Sequence, residues 1–285
     1  MPLLIDTHAH LNFKDYKDDA DVVIRRALDN DVWMIFVGSE YKTSQRGLDL
    51  ANKYEKGVYS AIGLHPVHLE DQQVASQDKD NSYNFRTRAE EFNYDNYEKL
   101  AKFEKVVGIG EIGLDYYHIN LADNVAQIKK KQHDVLIKQL KLARILDLPV
   151  ILHCRLAHDD LVATLREFKR KNKELFKNDK PWGVVHCFSG DEDLAWKYFS
   201  LGLIISFTGL ITFSKRWDNL IRKLPFEKFM LETDSPYMTP EPHRGNRNEP
   251  LLVKQVANRI AEIKSLSLDK VAEITTNNAK NLFRI

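Results

Sequence analysis

Cysteine is scarce in this chain: only Cys154 and Cys187 occur in 285 residues, and each directly follows a histidine. Two thiols cannot form a disulfide framework, which favours a protein from a reducing compartment. No run of eighteen apolar residues occurs, so no membrane-spanning helix is predicted. The opening MPLLIDTHAH lacks the basic segment of a secretory signal peptide and reaches a charge at Asp6. We therefore expect a cytoplasmic protein with no membrane partner.

Net charge is nearly absent as well, because 42 Lys and Arg residues offset 41 Asp and Glu residues to leave +1. A neutral protein has no long-range field with which to hold long stretches of nucleic acid. The balance still allows a small, local phosphate site. Any nucleic acid that binds this chain is therefore expected to be held over a short length.

Eight short apolar runs recur along the sequence and alternate with segments of helical periodicity. The runs are rich in Val, Ile, Leu and Phe and lack polar alternation, which is typical of strands buried on both faces. They span residues 3–6, 33–37, 58–64, 106–112, 149–153, 183–186, 203–207 and 229–232. This α/β alternation predicts a (β/α)₈ TIM barrel that occupies residues 1–285 as a single domain. The alternative is an open doubly wound sheet, but no G-x-G-x-x-G follows the first strand.

The longest interval between predicted strands separates the third from the fourth. Residues 71–97 are polar, acidic and poor in aliphatic side chains, so we interpret them as an inserted loop with one short helix at most. Two helices are predicted at the end of the chain, over 251–263 and 268–283. Pro250 is expected at the first position of the former.

Metal-binding side chains follow five of the eight predicted strands, at the end where a barrel builds its active site. In strand order they are His8 and His10, then Glu111, His153, His186 and Asp234. The first two lie two residues apart, so in an extended segment they project from the same side. Imidazole and carboxylate ligands suit Zn, Mn, Fe, Co or Ni, and a carboxylate such as Glu111 can bridge two ions. The combination predicts a divalent-metal site.

A lone histidine is more often a hydrogen-bonded structural residue or plain surface than a ligand. We interpret His118, His133 and His158 in this way. Cys154 and Cys187 are expected to face the helices as small buried thiols.

Seven motifs resemble one family in content and order. They are DTHAHL (6–11), GLHP (63–66), GEIGLDYY (110–117), LHCR (152–155), HCFSG (186–190), ETDSPY (232–237) and PHRGNRNEP (242–250). The sequence resembles the TatD family of metal-dependent deoxyribonucleases, within the amidohydrolase superfamily of barrels. The closing TTNNAKNLF (275–283) is similar to the family as well. The resemblance covers essentially the whole chain.

The resemblance implies a role for each site residue. His8, His10, Glu111 and Asp234 match the ligands of one ion, and Glu111 is shared with a second ion that His153 and His186 complete. The residues that match the substrate-phosphate positions are His65, Arg155, His243 and Arg244. The insertion at 71–97 is longer than we expect of compact bacterial members.

The function expected from these residues is divalent-metal-dependent hydrolysis of phosphodiester bonds, with single-stranded DNA as the substrate of an exonuclease. Two divalent ions (Zn, Mg, Mn, Co or Ni) would act together with two catalytic residues, Glu111 as the bridging ligand and Asp234 as the general base. No obligate protein partner is evident. An ester or amide hydrolase, such as a deacylase of mischarged tRNA, is the alternative, and a non-catalytic metal-binding scaffold is a third possibility.

Overall fold

A computed structural model describes residues 3–75, 84–120, 124–176 and 180–285 of the chain. Its strands are β1 (Leu4–Ala9), β2 (Val32–Val37), β3 (Val58–Ile62), β4 (Gln73–Ala75), β5 (Asn84–Arg86), β6 (Val106–Asp115), β7 (Val150–Arg155), β8 (Gly183–Val185), β9 (Leu203–Phe207) and β10 (Phe229–Leu231). All eight predicted strand regions contribute to one parallel sheet with the order β1-β2-β3-β6-β7-β8-β9-β10. The two further strands, β4 and β5, pair with each other.

The first and last strand regions of the large sheet meet, which brings the sheet close to a closed barrel. Ala9 and Ser235 form a parallel bridge just beyond the end of β10. The amide of Asp234 donates to the carbonyl of His8 at 2.9 Å, and the amide of His10 donates to the carbonyl of Ser235 at 2.8 Å. The TIM-barrel prediction is confirmed, and the open doubly wound sheet is wrong.

The helices follow the strands, as the periodicity predicts. They are α1 (Ala20–Leu28), α2 (Tyr41–Ala51), α3 (Tyr94–Ala101), α4 (Val125–Ile145), α5 (His158–Lys171), α6 (Glu192–Ser200), α7 (Leu210–Phe213), α8 (Asp218–Lys223), α9 (Val253–Lys264) and α10 (Leu268–Phe283). Short 3₁₀ segments lie at Lys14–Tyr16, Pro66–Leu69, Lys173–Leu175, Lys215–Trp217, Phe226–Lys228 and Pro250–Leu252. Within the described ranges, no helix has both the length and the apolar composition needed to cross a bilayer.

The last helix has the predicted bounds, whereas the start of the preceding one was predicted too early. Pro250 opens a 3₁₀ turn, and α9 begins only at Val253. The fixed φ of proline and its missing N–H suit the first turn of either kind of helix, so the sequence does not distinguish the two.

Two apolar clusters hold the barrel together. The larger one lies between the sheet and the surrounding helices. The smaller one joins strand residues such as Ile5, Val107 and Ile204 to Leu282 and Phe283 of α10. Side chains of α10 also donate hydrogen bonds to carbonyls at or just before the start of the first and last barrel strands: Thr276 to Leu3, and Asn278 to Phe226 and Phe229. The helix α10 therefore covers the amino-terminal end of the barrel. The polar strand ends therefore lie at the opposite, carboxyl end.

The segment predicted as an inserted loop contains a small antiparallel hairpin that the sequence did not reveal. Its strands β4 and β5 are three residues each, and residues 76–83 between them lie outside the described part of the chain. Val74 is buried, whereas the two residues beside it are exposed. Strands this short carry too few alternating residues to give a pattern. The Thr87 hydroxyl donates to the Glu70 carbonyl at 2.7 Å, which holds the hairpin beside the Pro66–Leu69 turn.

Strand β6 runs to Asp115, beyond its predicted end at residue 112. Gly113 makes the extension possible, because its φ of 152° suits glycine and a Cβ atom there would lie 1.9 Å from the His153 carbonyl oxygen. Only glycine allows β6 and β7 to approach this closely.

We expect Gly113→Ala to lower the free energy of unfolding by about 1–3 kcal/mol more than Gly245→Ala does, because it adds steric overlap to an unfavourable φ. Gly245 is the matched control: its φ is 82°, and no atom lies within 4 Å of the position of an added Cβ. Urea unfolding of both variants gives the comparison. Equal losses would show that β6 and β7 tolerate a side chain at this position.

Candidate metal centre

His8, His10 and Asp234 form one compact group at the carboxyl end of the barrel. The Nε2 atoms of the two histidines are 3.1 Å apart. Oδ1 of Asp234 lies 3.4 Å from Nε2 of His10 and 3.7 Å from Nε2 of His8. The group is buried, and the bridge between Ala9 and Ser235 holds its two chain segments side by side.

The tautomer of His10 follows from its backbone contact. Its Nδ1 lies 2.8 Å from the Val37 carbonyl, which can only accept, so Nδ1 donates and a neutral ring keeps a lone pair on Nε2. That lone pair faces His8 and the Asp234 carboxylate. Burial, followed by the neighbouring His186, lowers the pKa of His8 and favours the neutral form of that ring. Acceptor atoms that converge in this way fit a bound cation.

Glu111 lies between this group and a second set of imidazoles. Its Oε2 is 3.5 Å from Nε2 of His8. Its Oε1 is 2.8 Å from Nδ1 of His153 and 2.9 Å from Nε2 of His186. The two carboxylate oxygens therefore face different groups, which is the arrangement of a carboxylate able to bridge two cations.

The electrostatics of these contacts favour an ionised Glu111. Burial opposes the charge, but the imidazoles, His186 first, lower the pKa of this carboxyl well below its usual range. Burial also opposes the charged form of His153 and by itself would lower the pKa of this ring. Hydrogen bonds to Asp115 and Glu111 outweigh burial and raise the pKa of His153 to about 8. The buried carboxylate is thus balanced by positive charge from its surroundings, a balance that divalent cations can also supply.

His65 lies against the same carboxylate. Its Nδ1 accepts from the Val67 amide at 3.1 Å, and its Nε2 is 3.4 Å from Oε1 of Glu111. Burial lowers the pKa of His65 to about 4, so at neutral pH the ring is uncharged with its proton on Nε2. A neutral donor of this kind suits a phosphate oxygen, although the geometry also groups His65 with Asp115 and His153 as potential cation ligands.

Asp115 is a site residue that the sequence reasoning missed. Its Oδ2 accepts from His153 at 3.1 Å and from His118 at 2.8 Å. The Gln132 amide anchors it by bonding to both the amide and the carbonyl of its backbone. The signal was present in GEIGLDYY, but the fourth strand was predicted to end before this residue. Carboxylates that hold metal-ligating histidines are a regular feature of metal sites.

Glu232 plays a similar part behind His186. Its carboxylate accepts from the Cys187 amide and from the Ser206 hydroxyl, both at 2.6 Å. Its Oε1 also lies 3.4 Å from Nδ1 of His186. The sequence predicts this residue only as the end of the eighth strand, because nothing in it shows which backbone the side chain contacts.

The predicted phosphate-binding residues lie at the carboxyl ends of the strands or in the loops that follow them. Arg155 ends β7, and its guanidinium carbon lies 3.7 Å from the centroid of the Tyr117 ring. Arg244 stacks in the same way on Phe213 at 4.0 Å. His243 is half-buried in the loop after β10, where its amide donates to the Pro240 carbonyl.

The remaining histidines and cysteines have structural surroundings. His158 bonds to the Tyr198 hydroxyl at 2.9 Å, and His133 is exposed on α4. His118 is hydrogen-bonded, as interpreted, but its partner is the site residue Asp115. Cys154 and Cys187 are half-buried, and burial raises the pKa of each thiol to about 12.

The chain is similar to known metal-dependent hydrolases over almost its whole length. A family model described as "TatD related DNase" matches residues 5–284. The Bacillus subtilis protein named "Uncharacterized metal-dependent hydrolase YabD" is 35% identical over 99% of this chain and 100% of its own length. The Mus musculus "Putative deoxyribonuclease TATDN3" is 30% identical over 98% of this chain and 88% of its own. The crystal structure of the TatD homologue YjjV from Escherichia coli K12 superposes with a TM-score of 0.81 at 31% identity, covering 99% of this chain and 98% of that one.

If Asp115 holds His153 in place, Asp115→Asn should weaken the binding of divalent metal by about 10–100-fold, the usual effect of removing such a carboxylate. Competition with a chromophoric chelator measures the affinity directly. Asp134→Asn is the control, because Asp134 is exposed on α4 and pairs with Lys130. Unchanged affinity in the Asp115 variant would refute its part in the site.

Proposed function

The chain belongs to the TatD family of metal-dependent hydrolases, and on this premise we propose that it is a deoxyribonuclease that degrades single-stranded DNA from an end. The observation that carries the proposal is the position of Glu111, whose two oxygens face separate groups of imidazoles. Two divalent ions fit this arrangement, with Zn, Mg, Mn, Co and Ni as the candidates. In this proposal His8, His10 and Asp234 hold one ion, His153 and His186 hold the other, and Glu111 is shared.

A pair of divalent ions, when bound, neutralises the phosphate and lowers the pKa of a bound water toward about 7. Asp234 is proposed to take the proton of the attacking water. Burial raises the pKa of this carboxyl, but the neighbouring imidazoles, His10 first, outweigh burial and lower it, so the group is ionised at neutral pH. Its backbone is held by the bond from its amide to the His8 carbonyl at 2.9 Å.

The substrate phosphate is proposed to lie against His65, Arg155, His243 and Arg244. Guanidinium groups suit this role because they pair with phosphate oxygens through two parallel N–H bonds. Stacking on Tyr117 and Phe213 fixes the planes of the two guanidinium groups. The neutral His65 supplies a further donor at Nε2.

An ester or amide hydrolase, such as a deacylase of mischarged tRNA, could use the same metal ligands but has less need of two arginines at the reacting centre.

The experiment that separates the two functions tests, with each candidate metal, single strands labelled at the 5′ or 3′ end and an aminoacyl-tRNA. We expect metal-dependent release of nucleotides from one end of the strand. Cleavage of the aminoacyl-tRNA alone would replace the nuclease with the deacylase.

Loss of the proposed base should separate chemistry from metal binding. We expect Asp234→Asn to keep the fold and much of the metal but to lower kcat by about 10²–10⁴-fold, the range typical of general-base loss. Single-turnover cleavage of a labelled strand, with metal content measured on the same sample, makes the test. If more than about a tenth of the wild-type kcat remained, Asp234 would not be the base.

Loss of a phosphate contact should lower catalytic efficiency without a loss of metal. A charge-assisted hydrogen bond is worth about 1.5–3 kcal/mol, so Arg244→Ala should reduce kcat/KM on a short single strand about ten- to a hundred-fold. Arg247→Ala removes the same charge from the same loop and is the control, because Arg247 is already paired with Asp19. If the two variants cleaved the strand equally well, the phosphate would have to bind elsewhere on the rim.

A further inference from the structure

Three large hydrophobic side chains are exposed where the barrel strands end. Tyr117 follows β6 and is 38% exposed, Leu156 follows β7 and is 73% exposed, and Phe213 ends α7 and is 36% exposed. Single exposed hydrophobic residues need no explanation on most surfaces. These three differ because each adjoins an arginine that is proposed to hold the substrate phosphate. Leu156 is next to Arg155 in the chain, and the two aromatic rings are stacked by Arg155 and Arg244.

Leu156 also has an unfavourable backbone. Its φ of 54° lies in the left-handed region, which bulky residues avoid and which glycine or asparagine adopts more readily. A leucine here is exposed and strained at once, so neither burial nor local conformation accounts for it. Strained backbone of this kind clusters at sites that contact ligands.

Because the net charge is low, the exposed side chains matter for the binding of a nucleic-acid strand. With a formal charge of +1, the protein has little general attraction for a polyanion. Proteins that hold single strands combine backbone contacts with aromatic side chains on which the bases stack. Enzymes that act on an extruded base also enclose it between aromatic or apolar side chains. The arginines would supply the first kind of contact and the three exposed side chains the second.

We propose that Leu156, Tyr117 and Phe213 form a nucleobase-binding surface around the metal centre, which takes the unpaired bases next to the phosphate being cleaved. Tyr117 and Leu156 follow the fourth and fifth barrel strands, and Phe213 follows the seventh. Bases on either side of that phosphate would therefore meet different parts of the surface. Paired bases within a duplex do not expose the faces that such a surface contacts. The proposal rests on the proposed nuclease function and specifies its substrate as a strand with unpaired bases at the end.

The test compares one short single strand with the same strand carrying abasic residues at its terminal nucleotides. Leu156→Gly removes the side chain and Leu156→Asn replaces it with a polar one, and both residues accept the left-handed φ, so both variants should fold. We expect the ratio of kcat/KM for the base-bearing strand to that for the abasic strand to fall about five- to fifty-fold in each variant. Trp196→Ala is the control, because Trp196 is 49% exposed on the helix α6. An unchanged ratio in the Leu156 variants would overturn the proposal.

A binding measurement gives a second readout that does not depend on turnover. The strand would carry 2-aminopurine at its terminal position, and the metal-loaded Asp234→Asn protein would serve as a slow background. Stacking should change the 2-aminopurine emission in this background, and adding Leu156→Gly should reduce the change. An equal change in 2-aminopurine emission with and without the Leu156 side chain would contradict the proposed nucleobase-binding surface.

Bis(p-nitrophenyl) phosphate separates failure of the subsite from failure of the function, because it is a phosphodiester without bases. Hydrolysis of this compound and of the strand, together with an unchanged base-to-abasic ratio in the Leu156 variants, would refute the base-binding surface alone. A metal-loaded wild-type protein that cleaves neither would refute the nuclease function and the surface with it.

Discussion

The buried carboxylate of Glu111 is the charge on which the rest of the site depends. An ionised carboxylate away from water costs several kcal/mol unless opposite charge and hydrogen bonds surround it. Here the imidazoles of His153 and His186 contact one oxygen, and His8 approaches the other. Asp115 hydrogen-bonds to His153 from behind, and the Glu232 carboxylate lies 3.4 Å from Nδ1 of His186. The outer carboxylates therefore belong to the site as much as the candidate ligands do.

The apolar interior that stabilises the barrel and the polar residues of the candidate site lie at opposite ends of the barrel axis. At the amino-terminal end, α10 covers an apolar interior. At the carboxyl end, neighbouring strands approach closely enough to place polar side chains within hydrogen-bonding distance, and Gly113 beside His153 is one point where that approach excludes a Cβ atom. Mutations at the two ends should consequently have different effects. Those at the amino-terminal end should disrupt the packing of the apolar interior, whereas those at the carboxyl end should change the orientation of the site's side chains and leave much of the packing intact.

The strands and the six candidate metal ligands could be predicted from sequence because both depend on local patterns. A buried parallel strand is a short apolar run, and the residue that follows it lies at the active end of a barrel. The hairpin of β4 and β5 gave no such pattern, since three-residue strands contain too few side chains to alternate. The roles of Asp115 and Glu232, and the stacking of Arg155 on Tyr117, depend on contacts between strands that are distant in sequence. Such contacts depend on the register and the length of the strands. For β6 the predicted end, Ile112, lies three residues before the observed end, Asp115.

Sharing of Glu111 between two divalent ions can be observed by anomalous diffraction from a crystal of the metal-loaded protein, recorded at the absorption edge of the bound metal. We expect two peaks about 3.5–4 Å apart with the Glu111 carboxylate between them. A single peak, or a second ion held by His65, Asp115 and His153 without Glu111, would contradict it.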